Sequence, residues 1–150
     1  MRPTKIASLI TLIACCLLAA ATAQTAPPEL DHVTRYVRDL QKSAEFYDKV
    51  MQLTRIPDPF KDGKHVWYRI GAHEQLHLVG GAADVPQQPI DIHVAFRVAS
   101  VSDFMAHLDR MNVKYGGIRG GKVTDRPDGV HQIYFQDPDG YWIEVNDDKF

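Results

Sequence analysis

The stretch "GVHQIYFQDPDGYWIEVND", Gly129–Asp147, decides how this chain is read. Two apolar-rich runs flank the turn "DPDG", which reads as a hairpin of two strands. In the second run a carboxylate, Glu144, stands between Ile143 and Val145. A carboxylate among core residues is costly unless it is paired or bound to a cation. Strand side chains alternate between faces. Tyr141, Ile143 and Val145 therefore share one face, and Trp142, Glu144 and Asn146 the other. Glu144 turns away from the core, and its partners should be found on other strands.

Working outward, two similar passages appear. The first opens with a strand, "DHVTRYV" (31–37), then a helical pattern, "SAEFYDKVMQL". Phe46, Val50 and Leu53 have helical spacing there, and Ser43 is the expected N-cap. A loop rich in Pro, Asp and Gly (56–63) leads to the strands "HVWYRI" and "EQLHLV". The second passage opens with "IDIHVAFRV" (90–98), in which Ile92, Val94, Phe96 and Val98 alternate with Asp91, His93, Ala95 and Arg97. The helical pattern "VSDFMAHLDRMNV" follows, with Ser102 as its expected cap, then a Gly-rich loop (115–129) and the closing hairpin. His32 matches His93, 61 residues on, and His77 matches Glu144, 67 residues on. A duplicated strand–helix–strand–strand–strand unit accounts for both spacings. The fold class expected is α+β: two tandem βαβββ modules, about 30–81 and 90–147, forming a cupped mixed sheet, with "AADVPQQP" (82–89) as linker.

The N-terminus is of a different kind. Arg2 and Lys5 precede an uncharged apolar run, 6–20, and Ala21-Thr22-Ala23 offers a small-x-small cleavage site. This reads as a secretory signal peptide, 1–23, cut after Ala23, followed by a tether, 24–29. The mature protein is expected to be secreted or periplasmic and off the membrane. Both cysteines, Cys15 and Cys16, fall within the signal, so the mature chain has no disulfide and no thiolate ligand. A metal site must then be built from His, Asp and Glu. The net charge of −2 becomes −4 once Arg2 and Lys5 are removed. With no basic run or face, nucleic acid is not an expected partner.

The polar residues carry the chemistry. Leu76 and Leu78 alternate with His77, so His77, His93 and Glu144 all lie on the non-core faces of their strands. His32, with Thr34 and Tyr36 beside it, extends the set. Sheet halves curving around a cleft would bring these side chains together. Three or four His and Glu ligands with open positions describe a catalytic metal site. Two His and one carboxylate are also the facial triad of non-haem iron. Trp67, Tyr134 and Trp142 are expected to line the pocket. Arg97, on the His93 face, is expected to bind substrate, and Lys122 with Arg126, in the Gly-rich loop, to steer an anionic one unless they are simply solvated charges.

The stretches "LDHVTRYVRDLQKSAEFYDKVMQL", "IHVAF" and "IYFQDPDGYWIEV" resemble the vicinal oxygen chelate superfamily, which includes glyoxalase I and bleomycin-resistance-like proteins. The resemblance covers 30–147. It implies one divalent metal ion (Zn, Ni, Mn or Fe(II)) held by His32, His77, His93 and Glu144, and a homodimer in which two chains share each site. It implies a small-molecule substrate that chelates the ion through neighbouring oxygens, and lyase or isomerase proton transfer with Glu144 as the catalytic group. Glyoxalase I usually carries Glu where this chain has His77, which puts classical glyoxalase I activity in doubt. If His77 does not ligate, His32, His93 and Glu144 remain as an iron-type triad, and an extradiol-type dioxygenase is the alternative. A non-catalytic, resistance-type binding protein is a further one.

Two other motifs are decoys. "HEQLH" (73–77) matches the zinc-protease motif, which requires a helix. On a strand its two His stand roughly 13 Å apart and cannot share an ion. "GGIRGGK" (116–122) nearly spells a phosphate-binding loop, but Val123 stands where Ser or Thr is needed and no helix follows.

Overall fold

In this computed structural model, residues 26–149 are described; the expected signal peptide and its cleavage site lie outside them. Strand β1 (His32–Val37) leads into Asp39, whose carboxylate accepts the Lys42 amide at 3.0 Å and caps helix α1 (Leu40–Lys49). Strands β2 (Thr54–Ile56), β3 (His65–Arg69) and β4 (Gln75–Gly80) complete the first unit. The second repeats the order: β5 (His93–Arg97), α2 (Val101–Arg110), β6 (Thr124–Asp125), β7 (His131–Gln136) and β8 (Trp142–Asn146). The two sheets have the same plan, β1-β4-β3-β2 and β5-β8-β7-β6, with the outermost pair parallel and the rest antiparallel. His77 pairs with Thr34, two residues after His32, and Glu144 with Ala95, two residues after His93. The register thus makes His77 and Glu144 equivalent, as the duplication requires.

Both expected helix caps are displaced. Asp39, not Ser43, caps α1, and Ser100, not Ser102, caps α2 through the Asp103 amide. Each true cap stands further upstream, where the chain is still extended and a short polar side chain can reach the first free amides. Ser43, inside α1, is buried and does something else (below). Strands β2 and β6, unplaced in the sequence reading, are three and two residues long, too short to show alternation.

One core serves both units. Val37, Tyr47, Tyr68, Leu76 and Leu78 of the first unit join Leu108, Ile133, Phe135, Ile143 and Val145 of the second in a single cluster. Phe135 is the meeting point, 6.3 Å from the Phe46 ring on α1 and 6.2 Å from Phe104 on α2. At about 25 cal/mol per Å² of apolar surface, burial of this kind dominates the fold's stability.

The "DPDG" turn fastens the units together. Gly140 takes the left-handed conformation (φ 92°) that the turn needs, and its amide returns to Asp137 O. Asp139, 4% exposed, accepts the Arg38 amide at 3.0 Å, the Ser43 hydroxyl at 2.7 Å and an Arg38 guanidinium N–H at 3.4 Å. Asp137 accepts the Tyr47 hydroxyl at 2.8 Å and the amides of Asp139 and Tyr141. Burial raises the Asp137 pKa, and these donors only partly offset that. Ser43 is thus a donor to the other unit rather than a helix cap.

Candidate metal centre

The faces opposite this core carry the polar residues that the sequence singled out. On the second sheet Glu144 is 4% exposed and enclosed by donors. Its Oε1 accepts from Gln132 Nε2 and from Asn146 Nδ2, each at 2.7 Å. Its Oε2 accepts the Tyr134 hydroxyl at 2.7 Å and faces His93 Nε2 at 3.0 Å. Gln132, Asn146 and Tyr134 all donate to it, so the group is an ionised carboxylate with three lone-pair sites engaged and the remaining one, on Oε2, turned toward His93. Burial pushes its pKa up, but the bonds from Tyr134, Asn146 and Gln132, with His93 close by, outweigh burial and hold it below the ordinary carboxylate range. The Tyr134 hydroxyl is pushed up in turn, first by burial and then by its bond to Glu144.

The His93 contact is informative about charge. His93 Nδ1 lies 2.7 Å from the Ile90 carbonyl, which can only accept, so Nδ1 carries a hydrogen. Nε2 is then the ring's open nitrogen, and it faces a carboxylate oxygen. Two acceptors do not rest 3.0 Å apart without a positive bridge. The bridge is a second ring proton, or a metal ion in the proton's place. The 3.0 Å separation is that of a hydrogen-bonded ion pair, and both atoms are of the types that ligate divalent metals. The backbone bond at Nδ1 is the usual support for a ligating imidazole.

The first sheet is arranged differently. The His77 ring is sandwiched between Trp67 (3.8 Å, 10° between planes) and His32 (4.4 Å, 15°). His77 Nε2 bonds Gln75 Oε1 at 2.9 Å, and His32 Nδ1 bonds Asp31 at 2.6 Å. A nitrogen lone pair lies in its ring plane, so stacked imidazoles point their lone pairs side by side rather than at one ion. His32 Nε2 stays open, and His77 is built into an aromatic wall. Trp67 Nε1 is buried without a hydrogen-bond partner among the described residues.

The four expected ligands therefore form two pairs. His93 meets Glu144, and His32 meets His77. Among the described residues, no three of the four bring ligand atoms within 4.8 Å of one another; the group that does so is Asp58, Asp62 and His65. The two pairs belong to different sheets, His32 and His77 to the first and His93 and Glu144 to the second.

The expected pocket residues also separate. Tyr134 and Trp142 line a cavity of about 550 Å³, and the Trp142 indole donates to Gln88 O at 3.0 Å. Arg97 lines another, of about 450 Å³, with Asn146. Trp67 packs in the ring stack, and Lys122 is exposed in its loop. Gln132 and Asn146, which the sequence reading did not single out, join Tyr134 in holding Glu144. They pair across β7 and β8; alternation from Glu144 points to Asn146, while Gln132 needs the strand register as well.

His77 supplies a pH prediction. Burial, and then His32, lower its pKa below the usual imidazole value. In the unfolded chain the ring takes up its proton near about 6.5, and in the folded chain lower. Falling pH therefore favours unfolding, and stability is lost between those two values. The thermal midpoint of metal-free protein should drop from pH 7 to pH 5, and His77→Gln should show a shallower drop. An equal slope in both proteins would remove His77 from the account.

Residues 29–145 match the sequence pattern of the Glyoxalase/Bleomycin resistance protein/Dioxygenase superfamily. An Arabidopsis thaliana protein named Glyoxylase I 4 is 28% identical over 131 residues, covering 77% of this chain and 68% of its own. A lactoylglutathione lyase from Agrobacterium tumefaciens superimposes with a TM-score of 0.64 at 20% identity, over 82% of this chain and 96% of its own. The fosfomycin resistance protein FosX from Listeria monocytogenes does so with a TM-score of 0.66 at 20% identity, over 83% and 97%. At that identity the two structures speak for the fold. With most of its length matched and both sheets built on one plan, this chain belongs to the Glyoxalase/Bleomycin resistance protein/Dioxygenase superfamily.

Proposed function

We propose that this protein is an exported, metal-dependent enzyme acting on a small molecule with two neighbouring oxygens, and that its site is completed by a second copy of the chain. The observation that carries this is the His93–Glu144 pair, an imidazole nitrogen facing a buried carboxylate oxygen at 3.0 Å. A divalent ion held by His93 and Glu144 satisfies both, and supplies Lewis-acid stabilisation of negative charge on substrate oxygen. His32 is the natural third ligand, since its Nε2 is open while Nδ1 is held by Asp31. Because the half-sites stand apart in one chain, His32 of a second copy is the one to meet His93 and Glu144, which makes the active form a homodimer.

The remaining residues have roles that follow from their bonds. Gln132, Asn146 and Tyr134 hold Glu144 ionised. Trp67 stacks on His77 and backs the aromatic wall of the His32 half-site. For proton transfer at carbon, Glu144 must first shed a donor, so in lyase or isomerase chemistry it is a weak base. The sandwiched His77 favours a second reading. Two His and one carboxylate, His32, His93 and Glu144, match the ligand set of non-haem Fe(II) oxygenases.

The test is metal-resolved activity with vicinal-oxygen substrates. Reconstituted with Fe(II), the protein is assayed for oxygen uptake on catechols. Reconstituted with Ni, Zn or Mn, it is assayed for isomerisation of hemithioacetals and hydroxy-ketones. Turnover with metal and none without is the expected result, together with a dimeric mass in solution. A monomer that binds no divalent ion would overturn the reading, and activity confined to Fe(II) with oxygen would favour the dioxygenase.

A further inference from the structure

The loop between β2 and β3 brings together Asp58, Asp62 and His65, each with a ligand atom within 4.8 Å of the others. None of the three belongs to the His93–Glu144 pair, and the set is mixed: two carboxylates and an imidazole. We propose that Asp58, Asp62 and His65 form a second divalent-cation site, separate from His93 and Glu144, which fixes this loop at the edge of the first sheet.

The geometry of the imidazole is the starting point. His65 opens β3 and is only partly accessible, with 19% of its side chain exposed. The Phe60 ring packs against it at 4.7 Å. Its Nδ1 lies 2.9 Å from Asp62 Oδ1, at hydrogen-bond distance, so an imidazole nitrogen and a carboxylate oxygen already face one another. That ligand set admits an ion at Nδ1 in place of the proton now shared with Asp62.

The carboxylates are oriented by the backbone without being used up. Asp58 takes the amides of Phe60 at 2.9 Å and Lys61 at 3.1 Å, one on each oxygen. Asp62 Oδ1 takes the Lys64 amide at 2.8 Å. A carboxylate has about four lone-pair sites, so each group has capacity left. Two hard oxygen ligands and one imidazole suit Mn²⁺ or Zn²⁺, with water in the open positions.

The site would matter through Phe60. That ring is 61% exposed, yet it stands edge-on to Trp67 at 6.0 Å, and Trp67 stacks on His77. An ion that fixes the loop therefore fixes the outer end of the ring series that lines the His32–His77 face. The inference does not depend on the proposed function, because it uses none of the same ligands.

Mn²⁺ is the probe, since carboxylate oxygen ligands suit it and its unpaired electrons make free and bound ion directly countable. Bound Mn²⁺ per chain is counted by electron paramagnetic resonance on four full-length proteins. These are wild type, Asp62→Asn/His65→Gln, His93→Ala/Glu144→Gln, and the combination. The loop variant should lose one ion per chain, or bind it at least tenfold more weakly. His93→Ala/Glu144→Gln should keep that ion, and the combination should bind none. Asp58→Asn retains an oxygen for one of the amides and should also weaken binding at least tenfold, which keeps the test open if the double variant does not fold. Identical titrations of the wild type and the loop variants would overturn this proposal and leave the His93–Glu144 reading standing. Loss of all Mn²⁺ in His93→Ala/Glu144→Gln would overturn it equally. Retention of every ion in that variant would instead count against the first site alone.

Discussion

Replacing Asp139 by Ala should destabilise the protein by about 3–5 kcal/mol, the cost of removing one partner from a buried charged network. Three donors lose their acceptor at once: the Arg38 amide, the Ser43 hydroxyl and the Arg38 guanidinium. A buried donor left alone costs about 1–3 kcal/mol, and more when charged. The effect is large because the lost bonds join the two units, so the damage is not confined to a turn. Asp139→Asn keeps one oxygen and should cost about half as much, since hydrogen bonds to a charged acceptor are worth roughly twice those to a neutral one. Urea unfolding of metal-free protein checks both. A change under about 1 kcal/mol in Asp139→Ala would mean that the apolar core alone holds the units together. Ser43→Ala removes only the hydroxyl bond and should cost about 1–2 kcal/mol.

Glu144→Gln and His93→Ala should each weaken divalent-metal binding at the proposed centre by at least about a hundredfold, the upper range seen even for outer-shell changes. Glu144 is the one carboxylate of the proposed set, and Gln in its place removes the charge while keeping the size. The variant also reverses a hydrogen bond. Oε1 and Oε2 accept from Gln132, Asn146 and Tyr134, and an amide nitrogen at either position would face a donor. His93→Ala removes the open nitrogen and leaves Ile90 O without its ring partner. Gln132→Leu is a milder case: it keeps the ligands, frees one side of Oε1, and should weaken the metal by about tenfold through Glu144's orientation. Isothermal titration with Mn²⁺ or Ni²⁺ measures all three. Unchanged affinity in Glu144→Gln would move the metal elsewhere, and Asp58, Asp62 and His65 would be the next place to look.

What local pattern determined is limited and specific. The two-residue period of "YWIEV" puts Glu144 on the face away from Ile143 and Val145; those two join the apolar core, while Glu144 bonds Gln132, Tyr134 and Asn146. The same period separates His77 from Leu76 and Leu78. Matched spacing in two passages implied a duplicated unit, and the two sheets share one strand order. These features were legible because backbone geometry fixes which residues share a face, whatever the strand packs against.

Other features required neighbours distant in sequence. Ser43 looks like a helix cap until Asp139, 96 residues on, is brought against it. The "DPDG" turn reads as a register-setting hairpin, but its two carboxylates chiefly bind α1 and the end of β1. Gln132 and Asn146 become holders of Glu144 once β7 and β8 pair in one particular register. Identity of ligand type did not reveal that His32 and His77 stack while His93 and Glu144 face each other. Ring orientation depends on Trp67 pressing on one side and the Ile90 carbonyl holding the other, and packing sets both. The sequence by itself determined which side chains leave the core; tertiary structure decided which of them meet, because meeting depends on sheet register and on the packing that orients each ring.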